Sequence, residues 1–528
     1  MLDLVIRGGR IIDGTGTPGF IADVGVKDGK VAAIGKFGDA HQVVDARDRV
    51  VCPGFIDPHT HEELGLLVDP VLERYLRQGV TTVINGQCGT SIADTSDKTR
   101  QARDRDDNSI LQKITETWDS LPEYKKGAEK KGLAFNHGLL LGHGTMRWLV
   151  MGKADLRPPT SEEMAAMKAM LEQGMEQGAL GMSTGLDYVP SRAATTDEVV
   201  ELAEVVARYD GTYASHVRKA VAFGRGDGVA EAIQIGRRAG VRVQVSHLTY
   251  ADRLAVEWME RARQEGVEVA CDIMPHSGGH VMRADRFAGS IKNSLFEYYD
   301  LGLEEFYRLL KDEKAREFML ENNSQIRLAP DQIILVHSEV PSWEGRSLAD
   351  VAAMNDKEPA EMWFDLLAER PPRVSFWMYA NRRNKTNLDR FPVLKETASS
   401  PVVTCGSDSI MPDPSDPYLH YELQRNGVFP RFLEVGRDFG LRLEYDIQRM
   451  TALPAQQHRL QDRGVLRPGM AGDILVFSPE RFVFPEEINP RDPSVVAQGM
   501  EYVMVNGELV IDKGQLTSAR PGRVLLKE

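Results

Sequence analysis

The stretch Val51-Cys52-Pro53-Gly54-Phe55-Ile56-Asp57-Pro58-His59-Thr60-His61 decides how this chain is read. It begins as a buried strand, with a Pro-Gly pair that a central strand tolerates only near its start. In an extended chain, residues i and i+2 point to the same side. His59 and His61 therefore set two imidazoles on one face at a strand's end, as a metal requires of paired ligands. An HxH pair is common by chance, but here an apolar strand leads into it and Glu62 and Glu63 follow it. The other ligands have to come from the rest of the chain.

On the N-terminal side, residues 1–50 alternate short β-like runs with turns, and Asp28-Gly29 is a hairpin signal. The C-terminus has the same texture at 473–477, 502–505 and 508–511, with Asn506-Gly507 as the turn between the last two. Neither end can bury a core alone, so residues 1–50 and 463–528 are expected to combine into one small β-domain around an inserted 51–462. That middle part alternates strand-like runs at 51–56, 80–85, 133–141, 179–183, 211–215, 241–246, 267–272 and 401–406 with helical segments. Eight such runs predict an α/β fold: a (β/α)8 TIM-type barrel inserted into a small β-sandwich formed by both chain termini. The tract at about 279–395 breaks the rhythm and reads as an insertion after barrel strand 7. Met164, Met167, Met170, Leu171 and Met175 form a helical stripe read as core packing, not as ligands.

The 528 residues are 42% hydrophobic and 27% charged, an ordinary globular composition. A net charge of -14 argues against nucleic acid and anionic membranes as partners. The opening residues show no signal peptide and no apolar run reaches membrane-spanning length. Cys52, Cys88, Cys271 and Cys405 make no CxxC pair or disulfide framework, so a reducing cytoplasm is the expected location.

Barrel enzymes carry their chemistry where strands end. The first strand ends at His59 and His61, and the second runs into Asn85-Gly86-Gln87-Cys88-Gly89. The fifth ends at His216, the sixth at His247, and the eighth at Gly406-Ser407-Asp408. Singly, each has a plainer reading: a small buried cysteine, satisfied strand-end histidines, a helix N-cap. Together, four histidines, one cysteine and one aspartate on one rim point to a metal. Zinc accepts imidazole, thiolate and carboxylate, and a catalytic site keeps a position open for water. Asp408 is the expected general base and acid, since a carboxylate both ligates weakly and shuttles protons. No Gly-x-Ser-x-Gly or Ser-x-x-Lys nucleophile competes, and Gly14-Thr15-Gly16-Thr17-Pro18-Gly19 lacks the lysine of a phosphate loop.

These residues sit in an ordered series of motifs. PGFIDPHTH at 53–61, GVTTVINGQCGTS at 79–91, GHGTMRWLVMG at 142–152 and GALGMSTGLDYVP at 178–190 come first. YASHVR at 213–218, QVSHL at 244–248, GSD at 406–408, GVFPR at 427–431, MTALPAQ at 450–456 and RGVLRPGMAGDILVF at 463–477 follow, with VMVNGELV at 503–510 last. The chain resembles the amidohydrolase superfamily, and within it the D-aminoacylase (N-acyl-D-amino-acid deacylase) group. The resemblance implies a tightly bound zinc on Cys88, His216 and His247, with His59, His61 and Asp408 around a second, weaker divalent site. It implies hydrolysis of a linear amide in an N-acylated small molecule, and it leaves a homo-oligomer open.

Three departures touch the substrate side of that resemblance. Thr249 stands where the group has a lysine, Met274 and His276 where it has tyrosines, and Gln424 where it has an arginine. Losing Lys and Arg removes charge-assisted hydrogen bonds to a substrate carboxylate. Arg218 and His276 are the substrate-binding candidates, with Arg382, Arg383 and Lys385 as further compensating cations. N-acyl-D-amino acids are the expected substrates, and an amide lacking the free carboxylate is the variant. The alternatives are a cyclic-amide hydrolase of hydantoinase or dihydroorotase type, or an inactive metal-binding barrel. The strand-two cysteine argues against the first, and the presence of all six ligands against the second.

Overall fold

In the computed structural model of the chain, the leading stretch forms two strands rather than the single run expected at 51–56. Val50–Pro53 runs parallel to the end of Leu2–Ile11 and antiparallel to Ile474–Phe477, inside the sheet built from both termini. Phe55–Asp57 pairs instead with Val80–Asn85 and is the first barrel strand. Gly54 makes the switch possible, because a Cβ there would lie 2.0 Å from Thr81 Oγ1. The structure describes residues 1–92, 114, 116–152, 156–218, 226–275, 281–295, 298, 301–322, 329–377, 392–410, 420–421, 423–485, 489, 492 and 494–527.

The eight barrel strands are all parallel and follow chain order: Phe55–Asp57, Val80–Asn85, Asn136–Gly142, Gly181–Gly185, Thr212–His216, Arg242–Leu248, Val269–Ile273 and Val403–Cys405. Strands one and eight meet just beyond their C-terminal ends. There Asp408 N donates to His59 O at 2.9 Å and His61 N donates to Ser409 O at 2.8 Å. The barrel thus closes through the segments that carry the expected ligands. Helices cover its outside. Thr160 caps Ser161–Glu176 in a reciprocal pair with Glu163, a common way to satisfy a helix's free N–H groups. Met167, Leu171 and Met175 from its inner face join the main core, as the stripe predicted.

The terminal strands form one nine-stranded sheet, with Val50–Pro53 between Leu2–Ile11 and Ile474–Phe477. It bends until its two Gly-containing hairpin turns touch: Gly472 N donates to Gly29 O, and Gly507 N to Gly472 O. Val24, Val26 and Val31 from one limb pack in the same core as Tyr502, Met504 and Leu509 from the other.

The tract after strand seven has its own core, in which Phe287, Phe306, Leu335, Trp363 and Phe376 are buried. Its four-stranded sheet runs Ile334–Ser338, Val374–Trp377, Val281–Arg283, His420–Tyr421, so it recruits two residues from beyond strand eight. The sequence Phe376-Trp377-Met378-Tyr379 begins in a strand, with buried Phe376 against Trp363 at a centroid distance of 4.6 Å. Met378 and Tyr379 lie outside the described residues. No helix among the described residues is long and apolar enough to cross a membrane.

Candidate metal centre

The six expected ligands converge above the barrel. Cys88 Sγ lies 3.4 Å from His59 Nε2, 3.4 Å from His247 Nε2 and 3.8 Å from His216 Nδ1. Asp408 Oδ1 lies 3.3 Å from His59 Nε2 and 3.2 Å from His61 Nε2. Among the described residues they form two groups, His59-His61-Cys88-Asp408 and Cys88-His216-His247, with donor atoms within 4.8 Å of one another. Cys88 belongs to both, where the resemblance assigned it to the tighter site alone. His59, Cys88, His216 and His247 are buried, while the His61 and Asp408 side chains keep 21% and 17% exposure. Those two therefore mark the side from which solvent and substrate enter.

The backbone is held in unusual conformations at three of these residues. Cys88, His247 and Asp408 have φ of 52°, 38° and 51°, in the left-handed region that non-glycine residues avoid. Such conformations persist only where surrounding structure enforces them, and they cluster at functional sites. Gly86, two residues before Cys88, has φ of 76°, and a Cβ there would lie 2.0 Å from Leu140 O. Only glycine lets strand two turn so tightly and aim Cys88 inward.

The local electrostatics favour a negative donor set. Burial resists ionisation of the Cys88 thiol, but the His59, His247 and His216 rings outweigh it and hold the thiol well below its usual range. Burial also opposes ionisation of Asp408, yet Arg425, His59 and His61 hold its carboxyl well below normal. His61 is raised to about 10: burial opposes its charge, while Asp408 and Cys88 prevail. Burial lowers His247. A thiolate and a carboxylate stabilised by crowded imidazoles form a set that a divalent cation satisfies in place of protons. Tetrahedral zinc ligands, one nitrogen and one sulfur, stand roughly 3.5 Å apart, which matches the spacings around Cys88. These residues fit zinc.

Four residues beyond the six expected ligands also contact the cluster. Asp272, at the end of barrel strand seven, faces His59 Nδ1 at 3.3 Å and accepts from His247 N at 2.6 Å. It links ligands from strands one and six, as carboxylates behind metal-bound histidines do. Its signal in the sequence is its position, a single acidic residue near the end of an otherwise apolar strand. Arg425 Nη2 reaches Asp408 Oδ2 at 3.1 Å, one residue beyond the Gln424 that drew attention. Tyr188 packs on His216 at a ring distance of 4.4 Å, with Asp187 Oδ2 3.8 Å from His216 Nε2.

The proposed substrate contacts fare differently. Arg218 is turned to structure: its guanidinium binds Glu231 at 3.0 Å and donates to the carbonyls of Arg192 and Ala194. A cation so engaged is not presented to a substrate carboxylate. Thr249 bonds Asp252 through both its N–H and its hydroxyl and closes a turn. His276, Arg382, Arg383 and Lys385 lie outside the described residues.

Residues 42–511 match the model of the amidohydrolase family. The chain belongs to that family. It is 31% identical to a D-aminoacylase of Alcaligenes xylosoxydans xylosoxydans, over 99% of this chain and 98% of that protein. It is also similar to the crystal structure of N-acyl-D-glutamate deacylase from Bordetella bronchiseptica, complexed with zinc and a phosphonate inhibitor. That match has a TM-score of 0.74 at 29% identity and covers 99% of each chain. An L-hydantoinase from Arthrobacter aurescens is 17% identical with a TM-score of 0.56, covering 100% of each chain, a likeness of fold alone. Within the family, the D-aminoacylase resemblance carried by the motifs therefore extends over the whole chain.

Proposed function

We propose that this chain is a zinc-dependent amidohydrolase that cleaves the linear amide bond of an N-acyl-D-amino acid. The observation that carries the reading is the placement of Asp408. One carboxylate oxygen faces His59 and His61 at 3.3 and 3.2 Å, and the other is held by Arg425, at the partly open edge of the ligand cluster. The full-length likeness to named deacylases supports the same chemistry.

Cys88, His216, His247 and their neighbours would hold zinc, which would supply a water of lowered pKa and a Lewis acid for the amide carbonyl. Asp408 takes one proton from the attacking water and gives it to the leaving nitrogen. A C–O bond forms, the C–N bond breaks, and the products are a carboxylate and a free amine. Arg425 keeps Asp408 ionised and fixed, so the base is ready without rearrangement.

A second reading concerns the substrate's far end. With Thr249 in a turn and Arg218 paired to Glu231, neither supplies the carboxylate contact, which favours an amide without a free carboxylate as the variant. Cyclic-amide opening has only a likeness of fold behind it. The deciding assay compares N-acyl-D-amino acids with their methyl esters and with simple anilides. Preference for free acids supports the first reading and preference for esters the second. Failure of the zinc-loaded protein to hydrolyse either class overturns both.

A further inference from the structure

Behind the ligand cluster runs a closed hydrogen-bond circuit that begins and ends on adjacent residues. Glu62 N–H can only donate, and it donates to Asn85 Oδ1 at 2.6 Å; Thr60 Oγ1 adds a second bond to the same oxygen at 2.7 Å. This orientation sets Asn85 Nδ2, a donor, 2.6 Å from His137 Nδ1, which must then accept. The ring's hydrogen therefore sits on Nε2 and is donated to Tyr124 Oη at 3.0 Å. The tyrosine gives its own hydrogen to Glu63 O at 2.8 Å. Thr60, Glu62, Asn85, Tyr124 and His137 are all buried, and burial lowers His137 to about 3, so the ring is neutral as the circuit requires.

The two bonds to Asn85 Oδ1 come from the residues on either side of His61. Asn85 itself lies at the end of strand two, three residues before Cys88. We infer that Asn85 and His137 are positioning residues, which lock the His59-Thr60-His61 segment onto strand two and so hold the strand-one ligands in register with Cys88. The inference rests on the metal-site reading above. Three other backbone anchors of the segment, Thr60 N to Ile84 O, His61 N to Ser409 O and Asp408 N to His59 O, remain without the circuit, so its loss should loosen the ligands rather than scatter them.

The test titrates metal-stripped full-length protein with cobalt(II), following thiolate-to-cobalt absorption and binding heat, with melting of the metal-free protein recorded alongside. In Asn85→Leu, affinity for the weakest-held ion should fall about ten-fold or more, the usual loss when support behind a ligand is removed. The thiolate absorption should persist. Asn85→Asp, which keeps the acceptor but puts oxygen against His137 Nδ1, should fall in the same direction, and Tyr124→Phe should show a smaller loss. A merely structural role would lower the melting temperature and leave cobalt affinity unchanged; that result overturns the inference. If Asn85→Leu does not fold, Asn85→Asp and Tyr124→Phe decide by the same criterion. Absence of thiolate-to-cobalt absorption in the unsubstituted protein would instead defeat the metal-site reading, and this inference with it.

Discussion

Arg425 Nη2 stands 3.1 Å from Asp408 Oδ2, on the oxygen opposite the one shared by His59 and His61. One carboxylate is thereby split between a fixed cation and the ligand cluster. Arg425→Leu should reduce kcat at least ten-fold with bound zinc unchanged, because removing one partner of a buried pair leaves the other displaced and uncompensated. Asp408→Asn should reduce kcat about a hundred-fold or more, the scale of a lost general base, while the metal on Cys88 stays. Steady-state kinetics with metal analysis of the same samples checks both, and near-wild-type turnover of Asp408→Asn would remove its proton-transfer role.

Cys88 belongs to both ligand groups, and that makes the ligands unequal. After dialysis, Cys88→Ala should retain the least zinc of any single variant. His216→Ala should lose the ion shared with His247, and His61→Ala should lose only the weaker one. Elemental analysis gives the ranking, and equal zinc in Cys88→Ala and wild type would sink the assignment.

Much of this site could be read from sequence because the ligands fall at strand ends, where a polar residue after an apolar run stands out. His59, His61, Cys88, His216, His247 and Asp408 all have that signature. The break at Gly54 could not be read, since Val50–Pro53 and Phe55–Asp57 are equally buried and differ in the sheets they join, which long-range pairing decides. Arg425 was hidden because it acts across the barrel mouth from a segment without strand or helix periodicity. Asn85 and His137 were hidden because their roles depend on hydrogen-bond direction, which no residue pattern encodes. Arg218 misled for the converse reason: a cation beside a ligand histidine looks available until Glu231 is placed against it.

His458 predicts an acid sensitivity. It is fully buried, both ring nitrogens lack a hydrogen-bond partner among the described residues, and burial lowers it to about 3. An unfolded histidine titrates at about 6.5, so below that pH the unfolded chain binds the extra proton and stability falls towards pH 3. At pH 5 this one residue accounts for about 2 kcal/mol. His458→Leu should reduce the stability lost between pH 7.5 and 5.0 by roughly that amount in urea unfolding. An unaltered pH dependence would show that the ring is not held neutral.

Trp363 lies in the separate core of the insertion, against Phe287 at 5.1 Å and Phe376 at 4.6 Å. Trp363→Ala should destabilise that unit by about 3–5 kcal/mol. Zinc content should stay constant, because no ligand belongs to that core. Denaturant unfolding with metal analysis checks this, and zinc loss without unfolding would tie the insertion to the metal centre.

The central claim is that this chain hydrolyses a linear amide with zinc held around Cys88. The most direct measurement strips the protein with a chelator, follows cleavage of an N-acyl-D-amino acid and its methyl ester, and restores zinc stepwise. Turnover should vanish with the metal and return in proportion to zinc rebound, in wild type but not in Cys88→Ala. Undiminished hydrolysis by the stripped protein, or full recovery in Cys88→Ala, would contradict the account.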